Sequence, residues 1–308
     1  RMAGLLYSVT QETRESIMFK GSMVALITPF VNGKFDEQSF MNFIDWQIDE
    51  GTDALVPVGT TGESPTLSHA EHKQVIECCI EHTAGRVPVI AGAGSNSTTE
   101  AIDFADHAQK AGADAILVVT PYYNKPTQEG LYLHYKAITD AVDVPTIIYN
   151  IPGRSAVDMS VDTMARLSDL RNIIGVKDAT SDLTRPMFTR LACGADFVQL
   201  SGEDATIVPY LAGGGNGCIS VTANIAPHLC AQLHDAWEVG DLPTVMALQD
   251  LLMPVHTAMF CETSPGPVKY AAELLGKASA ETRLPMCEIS EDSKLKIRSA
   301  LINAELLN

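Results

Sequence analysis

Short apolar segments alternate along the chain with longer segments in which apolar residues recur at helical spacing. The apolar, β-branched runs predict eight strands, at residues 24–28, 54–58, 87–91, 115–119, 146–149, 173–177, 197–201 and 217–220. Helical periodicity between them predicts helices such as 37–49, 70–82, 99–111 and 128–141. A helix between successive strands indicates a parallel sheet joined by right-handed crossovers.

Eight strand–helix units are the number that closes a (β/α)8 TIM barrel, and we predict this fold for residues 18–240. Gly51, Gly112 and Gly194 each precede a predicted strand by three residues, where a left-handed glycine can end a helix. An open doubly wound sheet is the alternative fold. The first predicted strand, however, is not followed by the glycine-rich fingerprint of a dinucleotide-binding sheet.

The two ends of the chain differ from this alternating pattern. Helical stretches near 244–260, 267–275 and 291–303 predict a C-terminal helical extension over residues 241–308. We expect this extension to pack on the barrel rather than to form a separate domain. Residues 1–17 hold only a short apolar patch without the flanks of a secretion signal, and we expect a vector-derived leader.

The composition restricts the classes of partner. A formal net charge of −17 argues against nucleic acids and anionic membranes. No apolar run reaches the ~20 residues that a membrane-spanning helix needs. The seven cysteines show no CxxC spacing, which indicates free thiols and a cytoplasmic location.

The segment NIIGVKDAT, residues 172–180, places Lys177 at the end of the sixth predicted strand. In a TIM barrel the active site lies at the carboxyl ends of the strands. Burial of a lysine amine disfavours its charged form, and an uncharged amine can condense with a ketone to a Schiff base. On this stretch alone a structural role stays open, because a lysine at a strand end can also extend its ammonium into solvent.

Side chains at other predicted strand ends could bind a carboxylate or relay protons. After the second strand, the Thr60 and Thr61 hydroxyls lie between glycines, an arrangement that suits a bound carboxylate or a simple turn. Tyr149, at the end of the fifth strand, could relay protons or could be a rim tyrosine. Arg154 could bind a second carboxylate through its planar guanidinium. Together with Lys177, these residues suit a Schiff-base aldolase acting on a small keto acid.

Three further features have less specific interpretations. Tyr122 and Tyr123 follow the fourth strand and fit a substrate loop or a subunit interface. The glycine-rich segment 213–217 could hold a phosphate, although no lysine or arginine lies near it in sequence. His69 and His72 lie three residues apart on a predicted helix, but no third metal ligand is evident and we expect no metal.

Six segments together resemble the dihydrodipicolinate synthase family over Met18–Asn303. They are GTTGESPTL at 59–67, PYYNKPTQEGLY at 121–132, YNIPGR at 149–154, GVKDAT at 175–180, SGED at 201–204 and GCISVTANIAP at 217–227. The resemblance implies a lyase of the diaminopimelate pathway to lysine, which condenses pyruvate with L-aspartate 4-semialdehyde to give 4-hydroxy-tetrahydrodipicolinate. It also implies a homotetramer, built as a dimer of dimers, that needs no cofactor beyond the lysine–pyruvate imine.

The resemblance assigns roles to individual residues. Lys177 would form the imine, and Tyr149 would relay protons beside it. Thr60 would link Tyr149 to a tyrosine from a neighbouring subunit, which in this sequence is Tyr123. The residues that match substrate-binding positions are Thr61 for the pyruvate carboxylate, Arg154 for the semialdehyde, and Gly202 and Ile219 as backbone lining the pocket.

Members of this family are also known to be inhibited by lysine at a cleft between paired subunits, and we expect inhibition by L-lysine here. The residues that match the cleft are Ser64, Pro65, His69, His72, Asn96, Glu100 and Tyr122. Glu100 would pair with the ammonium of the ligand, while Asn96 and Tyr122 would hold its carboxylate.

Alternative functions remain open. The nearest alternative is a sister aldolase with the same fold, such as N-acetylneuraminate lyase or a keto-deoxy sugar acid aldolase. Arg154 directly after the YNIPG turn argues against the lyase. A phosphate-binding class I aldolase would use residues 213–217. A non-catalytic lysine sensor is disfavoured by the joint presence of Lys177, Tyr149 and Thr60 with Arg154.

Overall fold

The computed structural model describes residues 19–307 and contains an eight-stranded parallel sheet. Its strands are β1 Gly21–Ala25, β2 Ala54–Val56, β3 Ile90–Gly92, β4 Ala115–Val119, β5 Thr146–Asn150, β6 Ile173–Asp178, β7 Val198–Ser201 and β8 Gly217–Ser220. The hydrogen-bonded order is β2-β1-β8-β7-β6-β5-β4-β3. A parallel bridge between Leu55 and Val89 joins β2 to β3 and closes the ring. The predicted TIM barrel is therefore confirmed, while the predicted leader, residues 1–17, lies outside the described residues.

A helix follows every strand of the barrel. These helices are α1 Glu37–Asp49, α2 His69–Thr83, α3 Thr98–Ala111, α4 Gln128–Ala141, α5 Val161–Ser168, α6 Arg185–Cys193, α7 Ile207–Ala212 and α8 Pro227–Glu238. The C-terminal segment adds α9 Leu242–Ala258, α10 Gly266–Leu274 and α11 Glu291–Asn303. Between residues 19 and 307, none of the helices combines the length and the apolarity that a membrane crossing requires.

Local sequence rules account for several helix ends. The side chains of Asp36 and Ser68 accept hydrogen bonds from backbone amides in the first turns of α1 and α2. Gly51, Gly112 and Gly194 have φ angles of +92°, +95° and +96°. All three glycines therefore have a positive φ, and Gly112, with a ψ of 28°, ends α3 in the predicted left-handed conformation. Gly194 differs from the prediction, because its ψ of 168° is extended.

Alternation of side chains along the strands produces two apolar layers. Met23, Ile147 and Leu200 belong to a cluster inside the barrel. Val24 and Ile148, their neighbours along the strands, belong to the larger cluster that includes residues of the surrounding helices. Residues that face inward near the carboxyl ends of the strands therefore reach the end of the barrel where active sites lie.

Two strand boundaries differ from the prediction in an informative way. β1 begins at Gly21 instead of residue 24, because Gly21 already pairs with Gly217 of β8. Asp178, one residue beyond the predicted end of the sixth strand, is the last residue of β6, since it still pairs with Asn150 and Ser201. Both differences come from pairing with distant strands, which the local pattern does not report.

Several short elements were not predicted, among them the hairpin formed by Phe30–Val31 with Lys34–Phe35 and the one-turn helix Pro152–Ser155. Strands of two residues are too short for alternation to be recognised. The hairpin also contacts the C-terminal segment, because the ring of its buried Phe30 lies under two cations of that segment, Lys269 and Arg283.

Candidate active site

Lys177 lies in a row of paired residues that crosses β5, β6 and β7. Parallel pairing aligns it with Tyr149 of β5 and with Leu200 of β7. Lys177 is only 5% exposed, and its Nζ lies 4.5 Å from the centroid of the Tyr149 ring. The amine is therefore buried against an aromatic face at the carboxyl ends of the strands, as predicted for a reactive lysine.

Gly202, directly after β7, and Ile219, on β8, lie near the lysine's end of the barrel. A Cβ atom at Gly202 would lie 3.1 Å from Cε of Lys177, so glycine leaves room for the lysine stem. Pairing of Cys218 with Ser201 places Ile219 beside Gly202, one residue further along each chain. Ile219 is fully buried. The structure thus brings Gly202 and Ile219 to the same end of the barrel as Lys177.

The loop between β2 and α2 holds Thr60 and Thr61 in a compact turn. The amides of Gly62 and Ser64 both donate to the carbonyl oxygen of Gly59, at 3.1 and 3.4 Å. Thr61 is 6% exposed. The threonine hydroxyls of this loop are groups that can donate to a bound anion.

Arg154 and Glu203 bring opposite charges to the mouth of the site. Arg154 is exposed in the one-turn helix after β5. Burial raises the pKa of the Glu203 carboxyl, as does repulsion from Asp204, while Lys177 and Arg154 oppose the rise. We did not predict Glu203 from the sequence. Its only signal there is its place in the SGED segment, directly after a strand end.

The predicted proton relay is divided between the interior and the surface of the chain. Tyr149 is buried, whereas the Tyr123 side chain is 89% exposed and its backbone has a φ of +72°. A side chain this exposed is not inserted into the site of its own chain. The structure therefore brings Tyr149 to Lys177 and leaves Tyr123 available to a neighbouring molecule.

Helices α2 and α3 bring together residues predicted to bind lysine. Nε2 of His69 lies 2.7 Å from Oε1 of Glu100, and the Ser95 hydroxyl donates to the other oxygen of that carboxylate. The side-chain amide of Asn96 donates to the carbonyl oxygen of Tyr122 at 3.1 Å. Glu100 is therefore already paired, and an incoming ammonium would have to share or displace its partners.

His72 is a buried contact between α2, β3 and α3. Its ring stacks on Phe104 with centroids 4.1 Å apart, and its Nε2–H donates to the carbonyl oxygen of Gly92 at 2.8 Å. Burial lowers the pKa of His72 to about 4. Ser64 and Pro65 lie in the one-turn 3-10 helix directly before α2. Within residues 19–307, no three His, Cys, Asp or Glu side chains form a cluster that could hold a metal ion.

The glycine-rich segment 213–217 lies at the other end of the barrel from Lys177, because it precedes β8 whereas active-site loops follow the strands. Arg190 of α6 donates to the carbonyl oxygen of Gly213 at 2.6 Å. No arginine lies near this segment in sequence, but packing of α6 brings Arg190 to it in the fold. Because the glycine-rich segment lies at the opposite end of the barrel from Lys177, a phosphate-binding aldolase that uses this segment is disfavoured.

A sequence model described as the dihydrodipicolinate synthetase family matches residues 18–304. The chain belongs to the dihydrodipicolinate synthetase family. A member from Rhodospirillum centenum, named 4-hydroxy-tetrahydrodipicolinate synthase, is 65% identical to this chain, and the match covers 94% of this chain and 100% of the relative. The family that we recognised from six sequence segments is thereby confirmed.

Solved structures of dihydrodipicolinate synthases have the same fold. One from Acinetobacter baumannii, described as complexed with pyruvate, has a TM-score of 0.91 and 44% identity over 94% of this chain and 99% of that chain. One from Cyanidioschyzon merolae, described with lysine bound, has a TM-score of 0.91 and 36% identity over the same shares. The prediction of an enzyme of the lyase class is confirmed by these relatives.

His72 is expected to make the stability of the fold depend on pH. Its pKa falls from about 6.5 in the unfolded chain to about 4 in the fold, so the unfolded chain binds the extra proton between these values. Neutral His72 contributes fully to the free energy of unfolding above pH ~6.5. This contribution is lost as the pH falls toward ~4, at up to about 1.4 kcal/mol per pH unit. The His72→Phe variant, which keeps an aromatic ring beside Phe104, is expected to reduce this slope in urea unfolding measured between pH ~7 and ~5.

The matched control is His228→Gln, because the His228 side chain is 60% exposed. This control is expected to retain the slope of the parent protein. An unchanged slope in His72→Phe would show that the buried ring does not control the acid response.

Proposed function

We propose that this enzyme condenses pyruvate with L-aspartate 4-semialdehyde through an imine on Lys177, giving 4-hydroxy-tetrahydrodipicolinate on the diaminopimelate route to lysine. The observation that carries the proposal is the buried Lys177 amine against Tyr149 at the carboxyl ends of the strands. The shared name of the relatives and the pyruvate complex of the A. baumannii synthase support it.

The chemistry begins when the Lys177 amine adds to the keto carbon of pyruvate and water leaves, which forms the imine. Loss of a proton from the pyruvate methyl group gives an enamine, whose carbon attacks the aldehyde carbon of the semialdehyde. The amine of the substrate then displaces Lys177 as the ring closes. Because the protonated imine accepts the electron pair, these steps require no metal ion and no cofactor.

Other residues bind the substrates and move protons. Tyr149 relays protons beside the imine, and Thr60 passes them on toward Tyr123 of a neighbouring subunit. Thr61 donates to the pyruvate carboxylate, and Arg154 pairs with the carboxylate of the semialdehyde. These local donors are needed because the chain as a whole, with a net charge of −17, repels anions. The backbone at Gly202 and Ile219 lines the pocket.

The purified enzyme is expected to consume pyruvate and the semialdehyde together and to leave N-acetylneuraminate intact, as measured by chromatography of substrates and products. The Lys177→Ala variant should lose about a thousandfold or more of kcat/KM, because the reacting nitrogen is removed. The control is Lys136→Ala, which removes a surface lysine paired with Asp140 on α4. Cleavage of N-acetylneuraminate without condensation would instead establish the sister aldolase.

We also propose that L-lysine inhibits the enzyme at the cleft formed by Ser64, Pro65, His69, His72, Asn96, Glu100 and Tyr122. The pairing of Glu100 with His69 shows that this carboxylate already binds a cationic partner when the ring is protonated. The lysine-bound C. merolae relative supports the proposal. An ammonium in place of the imidazole would form a charge-assisted hydrogen bond of the same kind.

The Glu100→Gln variant is expected to need about tenfold more L-lysine for half-inhibition, because the neutral amide pairs more weakly with an ammonium. Uninhibited turnover should stay near that of the parent enzyme. Glu129→Gln, at a surface carboxylate paired with Arg166, is the control. Absence of both binding heat and inhibition with the parent enzyme would remove the regulatory proposal.

We further propose a homotetramer built as a dimer of dimers, in which Tyr123 completes the site of its partner. Such an assembly needs two different self-associating surfaces. Tyr122 and Tyr123 form one exposed aromatic pair, with 37% and 89% of their surfaces exposed. A second exposed apolar face lies on α6, where Phe188 is 58% and Leu191 is 82% exposed. Exposed apolar patches of this kind are typical of protein interfaces.

Subunit mixing tests whether Tyr123 acts across the interface. Tyr123→Phe and Lys177→Ala subunits are each expected to be nearly inactive alone. After co-refolding of equal amounts, about a quarter of the sites should be complete, since half of the pairs are mixed and each mixed pair has one complete site of two. Activity no higher than the sum of the two separate variants would show that Tyr123 does not act in the neighbouring site.

We place the enzyme in the cytoplasm. All seven cysteines are free thiols. Free thiols are stable in a reducing compartment, which the cytoplasm provides.

A further inference from the structure

A buried ion pair connects the C-terminal segment to the β2–α2 loop. Lys269 of α10 is fully buried, and its Nζ lies 2.6 Å from Oε1 of Glu63. The same ammonium donates to the carbonyl oxygen of Thr28 at 2.9 Å. The other carboxylate oxygen of Glu63 accepts from the backbone amide of Arg283 at 3.0 Å. Both oxygens of this one carboxylate are therefore held by residues from the end of the chain.

Glu63 occupies a backbone conformation that the rest of the structure must hold in place. Its φ and ψ angles are 56° and 33°, in the left-handed region that side chains other than glycine rarely adopt. Such residues persist where their surroundings fix them, and they are concentrated at functional sites. Glu63 is 3% exposed. The ion pair with Lys269 is the strongest contact available to fix it.

The backbone of Glu63 connects the held carboxylate to the threonines of the candidate site. The backbone amide of Glu63 donates to the carbonyl oxygen of Thr60 at 3.1 Å. The Thr28 hydroxyl donates to the carbonyl oxygen of Gly62 at 2.7 Å. Lys269 therefore reaches the loop by two routes, once through the Glu63 carboxylate and once through Thr28.

The side chain of Arg283 secures the downstream end of the same loop. It donates to both carboxylate oxygens of Glu71, at 2.6 and 3.1 Å, and to the carbonyl oxygen of Thr66 at 3.1 Å. It also donates to the carbonyl oxygen of Gly33 in the hairpin at 2.7 Å. These contacts hold the second half of the segment between β2 and α2 against the C-terminal segment.

A role in fold stability alone does not account for this arrangement. A buried ion pair is often no more stabilising than apolar side chains of the same size, because both charges lose their hydration. We propose that Glu63 and Lys269 are positioning residues that hold Thr60 and Thr61 in place to bind the carboxylate of pyruvate. This inference rests on the proposed function, in which Thr61 donates to that carboxylate.

Three variants separate positioning from stability. Glu63→Gln and Lys269→Met each leave one buried polar group without its charged partner, so both are expected to lower the unfolding temperature. The double variant Glu63→Gln/Lys269→Met has no unpaired buried charge, and it should regain part of that loss. Lys294→Met is the control, because Lys294 forms its ion pairs with exposed Glu288 and Glu291 in the same C-terminal segment.

Steady-state kinetics provide the decisive readout. In the double variant the KM for pyruvate should rise about tenfold or more, while the KM for the semialdehyde changes less than about twofold. Recovered thermal stability together with a raised pyruvate KM supports positioning. A pyruvate KM equal to that of the parent enzyme, or equal changes in both KM values, overturns it, as does a double variant that does not fold. Failure of the parent enzyme to react with pyruvate would instead refute the proposed function.

Discussion

The register of three parallel strands is the constraint on which the candidate active site depends. Pairing of Tyr149, Lys177 and Leu200 across β5, β6 and β7 turns the lysine into the barrel. A slip of one residue would point it at the surrounding helices, since successive side chains of a strand face opposite sides. The site lysine is therefore positioned by backbone hydrogen bonds along whole strands, and the apolar layers on both sides of the sheet hold that register.

The strand ends around this lysine come from segments far apart in sequence, and each contributes a different group. β2 leads to the threonine loop, β5 supplies Tyr149 and leads to the helix with Arg154, and Gly202 directly follows β7. The barrel alone does not fix the threonine loop, because the carboxylate that follows it is held by α10 and by the segment before α11. The C-terminal helices are thus part of the structure that shapes the site.

Features that depend on the local pattern of residues could be predicted from the sequence. The number of barrel strands, the glycines with positive φ and the place of Lys177 at a strand end all follow from periodicity and residue type. The Glu63–Lys269 pair could not be predicted, because its members are 206 positions apart and either one alone resembles a surface charge. Arg190 beside Gly213 and the exact end of β6 were missed for the same reason. Packing, rather than local sequence, decides these contacts.

Lys177 is central to the proposed chemistry, as the residue whose nitrogen becomes bonded to pyruvate. The most direct test of this role is borohydride reduction of the enzyme in the presence of pyruvate, followed by mass mapping of its peptides. The reduced pyruvate adduct is predicted on the peptide that contains Lys177, and the Lys177→Ala protein should trap none. An adduct on a different lysine, or equal trapping by Lys177→Ala, would contradict the role assigned to Lys177.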